Sequence, residues 1–177
     1  MKRKLKVNLA ELAIALDTNS PEMHNYLDLE TGEIVTITEE FAWVLKQIYD
    51  EIYDEEGNRI VILEEHLQGR DDPDWQKEML LEADRVEQGY GVRYILVERD
   101  DPYGDYNDMQ RFIRRVQDPQ LRERLWRAIK GRGAFRRFKD LLTRHPDVRD
   151  QWFDFKDARL ERRLARWLEA HDIEPIS

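Results

Sequence analysis

Two aspartates and a lysine near residue 150 are of the types that metal-assisted phosphodiester cleavage requires. Pro146-Asp147 is followed by Asp154-Phe155-Lys156. In such a pattern two carboxylates hold Mg²⁺ and the lysine positions the attacking water. The chemistry needs a strand framework on which the three side chains converge, whereas helical patterns flank this segment. A metal-dependent phosphodiesterase that uses Asp147, Asp154 and Lys156 is therefore the last of three functional hypotheses.

An acidic segment earlier in the chain carries enough oxygen for a hard cation. Asp100, Asp101, Asp105, Asn107 and Asp108 follow one another closely. They lack the spacing of a calcium loop, which needs regularly alternating oxygen ligands, a central glycine and a final glutamate. Asp105 as the N-cap of a following helix, with Asp108 near the positive end of its dipole, accounts for much of this pattern. We predict no metal site and no cofactor.

The remaining residue types offer no catalytic constellation. The chain has no cysteine, which excludes disulfides, thiolate nucleophiles and sulfur-bound metals. Its histidines are scattered without His-Glu-x-x-His spacing, and it contains neither a Gly-x-Ser-x-Gly elbow nor a phosphate-binding loop. We predict that the protein works without enzyme chemistry. The lack of cysteine and of any long apolar run further predicts a cytoplasmic protein with no membrane segment.

Charge is distributed unevenly along the 177 residues, which have a net charge of -9. Residues 1–110 hold 27 Asp or Glu against 11 Lys or Arg, a net charge of -16. Residues 111–166 hold 18 basic against 8 acidic side chains, a net charge of +10. Such asymmetry indicates either a basic surface for an anionic partner or a chain whose halves attract each other.

The basic charge is concentrated in residues 130–142, KGRGAFRRFKDLL. On a helix beginning near Ala134, Phe135 and Phe138 line one side, which leaves the neighbouring cations on the outside. We predict that these cations bind a partner. The predicted partner-binding residues are Arg127, Lys130, Arg132, Arg136, Arg137 and Lys139.

Two kinds of partner fit this face. Our first hypothesis is a regulatory or interaction module that docks an acidic protein surface, including that of a second copy of the chain. The second is binding to a nucleic-acid backbone, whose phosphates match arginine forks. The acidic net charge and aromatics at core spacing favour the protein partner. Trp43, which lies off the apolar stripe of its helix, is a further candidate anchor.

The elements that would position these residues begin with an N-terminal helix and hairpin. Asn8 and Glu11 form a capping-box pattern, which predicts a helix over residues 9–16. Alternating residues on both sides of Gly32 predict a β-hairpin over residues 23–37. The next predicted elements are a helix over 37–53 capped by Thr36 and Glu39, a strand over 59–63, a helix from Asp72-Pro73 to Gly89 that buries Trp75, Met79, Ala83 and Val86, and a strand over 92–98.

Helical patterns fill the last 75 residues. Asp118-Pro119 has the form of a helix start, and Gly131 or Gly133 the form of a stop. The predicted order is a helix with Met109, Phe112, Ile113 and Val116, a helix with Leu121, Leu125, Trp126 and Ile129, a helix with Phe135, Phe138, Leu141 and Leu142, a connection anchored by Trp152, Phe153 and Phe155, and a final helix with Leu160, Leu164, Trp167 and Leu168.

These elements predict an α+β fold, predominantly helical, with an N-terminal β-hairpin and a helical C-terminal half. Length and the lack of a Pro/Gly/Ser linker predict a single domain over residues 1–177. Within it, residues 1–110 form an acidic hairpin-and-helix part and residues 111–177 a basic helical part.

Several segments occur in an order that resembles a known bacterial family. They are YLDLETGEI, MQRFI, AIKGRGAFRRFKDLL, QWFDFKD and ARWLEAHDIEP, of which Gly-x-Gly-Ala-Phe-x-x-Phe-Lys and Trp-Phe-x-Phe are the most specific. The family is number 0158 of the uncharacterised UPF series, and the similarity spans about Leu9 to Ile173. No motif within residues 53–74 is matched to the family. The family has no assigned activity, so the resemblance implies one conserved unit and no catalytic residues.

Overall fold

A computed structural model describes residues 1–18, 20–98 and 103–177 of the chain. Two compact units emerge: an N-terminal unit, Met1–Glu98 with Leu168–Ser177, and a helical unit, Arg99–Trp167. The described residues form five strands. They are β1 (Arg3–Lys6), β2 (Met23–Asp28), β3 (Ile34–Thr38), β4 (Tyr94–Val97) and β5 (Ile173–Ile176).

Helices dominate the described residues, and the predicted α+β class with its helical C-terminal half is confirmed. The single-domain prediction stays a prediction beside the division into two units. The helices are α1 (Leu9–Asp17), α2 (Glu39–Ile52), α3 (Leu63–Gln68), α4 (Asp74–Gly89), α5 (Gly104–Ile113), α6 (Pro119–Ala128), α7 (Ala134–Thr143) and α8 (Pro146–Ala170).

The predicted hairpin is present and gains a third strand. Strand β2 pairs antiparallel with β3 on one side and with β4 on the other. Gly32 turns the hairpin with a φ of 78°. A Cβ at this position would also overlap the carbonyl oxygen of Lys6, so both conformation and close approach require glycine.

Side-chain caps define the starts of the first two helices. The first cap lies at its predicted residue and the second does not. Asn8 caps α1 by accepting the backbone N–H groups of Ala10 and Glu11, as its position predicts. Helix α2 is capped by Thr38, so the predicted start at Thr36 is wrong. Thr36 remains in β3, where its hydroxyl donates to the Asn25 side chain at 2.6 Å. The strand continues through Thr36, which is paired with Asn25 in the register of β2 and β3.

The core of the N-terminal unit lies where the sheet, α2, α3 and α4 meet. Its members are almost fully buried, and all their side chains are apolar except for the hydroxyl group of one tyrosine. They are Ile37, Leu45, Ile48, Ile52, Leu63, Leu67, Leu80, Ala83, Val86 and Tyr94.

The strand predicted over residues 59–63 is wrong. Asp54 accepts the backbone N–H groups of the turn that follows it, and the chain folds back through one isolated bridge between Tyr53 and Arg59. Ile60 and Ile62 are more than half exposed. Without a neighbouring strand to cover them, the segment ends in the short helix α3 instead.

Helix α4 starts and packs differently from its prediction. Its first residue is Asp74 rather than Pro73, and Asp72 accepts a hydrogen bond from Arg70 at 2.6 Å instead of capping the helix. Trp75, predicted as buried, is 59% exposed, whereas Leu80 is buried. Ala83 and Val86 are buried as predicted.

The helical unit is built around an aromatic cluster. The centre of the Trp152 ring lies 5.2 Å from the centre of the Phe112 ring and 4.8 Å from that of Phe138, and both pairs are edge to face. Around them pack the other buried side chains of the unit. These are Met109, Ile113, Val116, Leu121, Leu125, Ile129 and Leu142.

Residues 146–170 form one continuous helix, so the predicted connection before a separate final helix is wrong. Trp152 is buried in the aromatic cluster, whereas the next residue, Phe153, is exposed. Aromatic residues on several faces obscure the helical period over this stretch. Even α8 lacks the apolar character of a membrane span, as do the other helices among residues that the structure describes.

The N- and C-terminal segments pair with each other in two strands that no sequence pattern predicted. β1 and β5 run parallel, with Arg3 opposite Ile173 and Lys6 opposite Ile176. Leu5 and Ile173 are buried there. The two strands are four residues each, too short for a reliable alternation signal.

Candidate docking surface

All six predicted partner-binding residues are exposed. Arg127 lies in the last turn of α6, Lys130 and Arg132 in the loop that follows, and the remaining three on α7. The loop and its two flanking helices therefore present these cations to solvent. We call this region, residues 127–139, the basic face.

Arg137 braces the loop from α7. Its guanidinium donates to the carbonyl oxygens of Ala128 at 2.9 Å, Lys130 at 2.5 Å and Arg132. These are carbonyls of the C-terminal end of α6 and beyond, where unpaired oxygens and the helix dipole favour a cation. Arg137, one of the six predicted residues, thus stabilises the loop backbone to which Lys130 and Arg132 belong.

The glycines of the loop allow the stop and restart of the helices. Gly131 and Gly133 both have a φ of 73°, a conformation that disfavours other residues. At Gly133 a Cβ would approach the Arg137 guanidinium to 3.0 Å. Gly133 therefore also leaves room for the bracing side chain.

Two of the remaining cations have acidic neighbours on their own helices. Arg127 pairs with Glu123 at 2.5 Å, and Arg136 lies 3.9 Å from Asp140. All four side chains are at least 65% exposed. Such pairs contribute little, because solvent screens them and ordering the side chains costs entropy.

The other cations of the basic face have no acidic partner within the described residues. Lys130 and Arg132 form no ion pair there, and the Lys139 ammonium lies 4.4 Å from the centre of the Phe135 ring. Further exposed arginines of the helical unit likewise have no acidic partner among the described residues. They are Arg111, Arg114, Arg124, Arg144, Arg162 and Arg166.

A basic groove of about 350 Å³, which no sequence pattern predicted, lies between α5 and α8. Phe112 and Phe155 supply its apolar surface, and Arg115 places its guanidinium 5.0 Å over the Phe155 ring. Two further arginines, one of them Arg162, add positive charge, and Asp154 adds an anion. The position of Arg115 three residues after Phe112 indicates that the two side chains lie close together. The groove itself forms only where α8 packs beside them, which the spacing does not predict.

Acids of α5 form ion pairs with cations of α8 in the helical unit. Asp108 is fully buried and accepts hydrogen bonds from Arg159 at 2.9 Å and Arg163 at 3.0 Å. Asp105 accepts from Lys156 at 3.0 Å. A buried carboxylate held by two guanidinium groups is satisfied as an ion triad.

The predicted role of Asp105 as a helix cap is wrong, since α5 begins at Gly104 with Tyr103 at its N-cap position. Asp105 and Asp108 lie inside the helix, where they meet the cations of α8. Asp100 and Asp101 lie outside the described residues. In the described part of the chain, no three acidic or histidine side chains gather as a metal site would require.

The residues of the phosphodiesterase hypothesis do not converge. Asp147 and Asp154 are seven residues apart on α8, which separates them by about 10 Å along the helix axis. Lys156 binds Asp105 rather than lying free beside Asp154. This hypothesis gains no support from the geometry.

Comparison with known proteins gives a family and a relative. The model of a family described as "Uncharacterised protein family (UPF0158)" matches residues 76–177. The chain is also similar to the Pseudomonas aeruginosa protein named "UPF0158 protein PA5073", with 27% identity over 175 residues, which cover 99% of this chain and 89% of that protein. No solved structure matches the chain.

Proposed function

Because the chain belongs to the UPF0158 family, whose description names no activity, we propose its function from the structure: a non-enzymatic module that docks an acidic protein surface through the basic face. The observation that carries the proposal is the loop braced by Arg137. It holds Lys130 and Arg132 exposed and without ion pairs among the described residues. Charges held in place before binding lose less entropy when a partner arrives.

A protein partner suits this face better than a nucleic acid. The net charge of -9 repels a polyanion at long range, whereas a folded partner presents a local acidic patch. Phe138 and Trp152 are buried, and the Phe135 ring already contacts Lys139. Within the basic face, bases would therefore find little aromatic surface on which to stack. A second copy of the chain has the required acidic charge in residues 1–110.

Binding of two probes with equal charge tests the proposal. One is a labelled peptide rich in Glu, and the other is a single-stranded oligonucleotide. At low salt, we expect the full chain to bind the peptide more tightly than the oligonucleotide. The affinity for the peptide should fall as added salt screens the charges. Fluorescence anisotropy measures both. Sedimentation at low and high salt shows whether a second copy takes the partner's place.

Charge reversal locates the surface. The combined change Lys130→Glu, Arg132→Glu and Arg136→Glu should weaken peptide binding by about tenfold or more. The matched control is Arg3→Glu, Lys4→Glu and Lys77→Glu, which changes the net charge equally on the N-terminal unit and should leave affinity within about twofold. Equal losses in both variants, tighter binding of the oligonucleotide, or no peptide binding would each contradict the proposal.

A further inference from the structure

A cavity of about 460 Å³ opens in the N-terminal unit between the three-stranded sheet and helices α2 and α4. Its apolar walls include Ile37, Leu45, Ala83 and Val86, each 4% exposed. The cavity therefore reaches the hydrophobic core, and its volume lies in the range of about 300–1,000 Å³ that is typical of small-molecule sites.

Opposite charges line the same cavity without meeting. Lys46 comes from α2 and Glu87 from α4, and both are exposed. Neither takes part in an ion pair within the residues that the structure describes. A ligand with one negative and one positive group would satisfy both, which a ligand of single charge would not.

Two tyrosines of the cavity differ in what their hydroxyl groups can do. Tyr49 donates to Asp84 at 2.6 Å and is committed to that bond. Tyr26 forms no hydrogen bond through its hydroxyl among described residues. Burial, followed by the influence of Tyr90 and Glu87, raises the pKa of Tyr26. Its hydroxyl is therefore protonated at neutral pH and able to donate.

We propose that this cavity binds a free α-amino acid with an apolar side chain. The side chain fills the apolar walls, the carboxylate meets Lys46 and the Tyr26 hydroxyl, and the ammonium meets Glu87. The site lies in the N-terminal unit and does not depend on the basic face. Ligand binding there would add a small-molecule signal to a module whose docking residues lie elsewhere.

Matched ligands test the need for both charges. L-leucine, L-phenylalanine and L-tryptophan are titrated into the full chain and followed by amide chemical shifts of Ala42, Leu45 and Val86. We compare L-phenylalanine with 3-phenylpropionate, which lacks the ammonium, and with 2-phenylethylamine, which lacks the carboxylate. Each analogue should bind about tenfold more weakly than the amino acid.

Two conservative variants assign the charges to residues. Lys46→Gln should weaken L-phenylalanine and 3-phenylpropionate but leave 2-phenylethylamine unchanged. Glu87→Gln should weaken L-phenylalanine and 2-phenylethylamine but leave 3-phenylpropionate unchanged. The controls Lys77→Gln and Asp50→Asn, on the same two helices but not lining the cavity, should bind like the unaltered chain.

Three results would overturn the proposal. The first is that none of the three amino acids shifts the cavity amides up to its solubility limit. The second is that an analogue with a single charge binds as tightly as L-phenylalanine. The third is that the control variants lose as much affinity as those at Lys46 and Glu87.

Discussion

At the scale of single residues, Arg137 differs from the other cations of the basic face in what it contacts. Its neighbour Arg136 is 88% exposed and lies 3.9 Å from Asp140, a weak contact. Arg137 instead satisfies three backbone carbonyls of the preceding loop. Two adjacent arginines therefore have separate roles, one in shaping the surface and one in presenting charge.

The change Arg137→Ala should destabilise the helical unit by about 1–2 kcal/mol, because three charge-assisted hydrogen bonds are lost at a solvated site. Arg136→Ala, which removes the same charge, should change the free energy of unfolding by less than about 0.5 kcal/mol. Urea denaturation of both variants measures the difference. Equal stability of the two variants would mean that the hydrogen bonds from Arg137 to the loop carbonyls do not stabilise the fold.

Some helix caps and core aromatics were predictable at this scale, whereas others, and the contacts of Arg137, were not. Asp118 caps α6 through its side chain, and Phe138 is buried, both as local spacing predicts. The contacts of Arg137 depend on the positive φ angles of Gly131 and Gly133, which bring the loop carbonyls within reach. Sequence periodicity assigns Arg137 to an outer face but carries no information on that loop geometry.

At the scale of elements, the three-stranded sheet is fastened by a buried acid at the end of β2. Asp28 accepts hydrogen bonds from Arg93, just before β4, at distances down to 2.7 Å, and from the backbone N–H of Glu30 in the hairpin turn. Burial acts to raise the pKa of Asp28, but these hydrogen bonds and the Arg93 charge together lower it below the ordinary value. The ionised carboxylate at the end of β2 therefore links the hairpin turn to the residue that precedes β4.

Asp28→Asn should destabilise the chain by about 1–2 kcal/mol at pH 7, because it weakens these charge-assisted bonds. A lowered pKa stabilises the fold above the unfolded-state pKa of about 3.9, and this contribution is lost as the pH falls through the lower folded value. The stability gap between the two proteins should therefore shrink as the pH falls below about 5. Urea denaturation across this pH range measures it, and a gap independent of pH would contradict the assignment.

Elements with strong local signals were predictable, and those that depend on distant partners were not. The hairpin and α2 follow from turn chemistry and helical period. The predicted strand at residues 59–63 lacked a neighbour to pair with, whereas β1 and β5 have neighbours only because residues 170 positions apart meet. Strand pairing between residues so far apart cannot be predicted from the pattern of a short stretch of sequence.

At the scale of the whole molecule, the chain leaves the N-terminal unit once and returns to it. Residues 168–177 belong to that unit, and β5 there forms a parallel pair with β1. The charge asymmetry follows from composition alone, and the cations of the basic face are exposed. Their partner stays a proposal. The return of the C-terminal segment was not readable, because its four-residue strand carries only one buried apolar side chain.

This return predicts that the two isoleucines of β5 differ in their contribution to stability. Ile173 is 2% exposed and Ile176 is 44% exposed, so Ile173→Ala leaves a cavity whereas Ile176→Ala removes surface contacts. We expect a loss of about 2–4 kcal/mol for the first and less than about 1 kcal/mol for the second. Urea denaturation measures both, and native-state hydrogen exchange should show the β1 amides less protected in Ile173→Ala. Unchanged protection of β1 in that variant would show that the N-terminal unit does not depend on the returning strand.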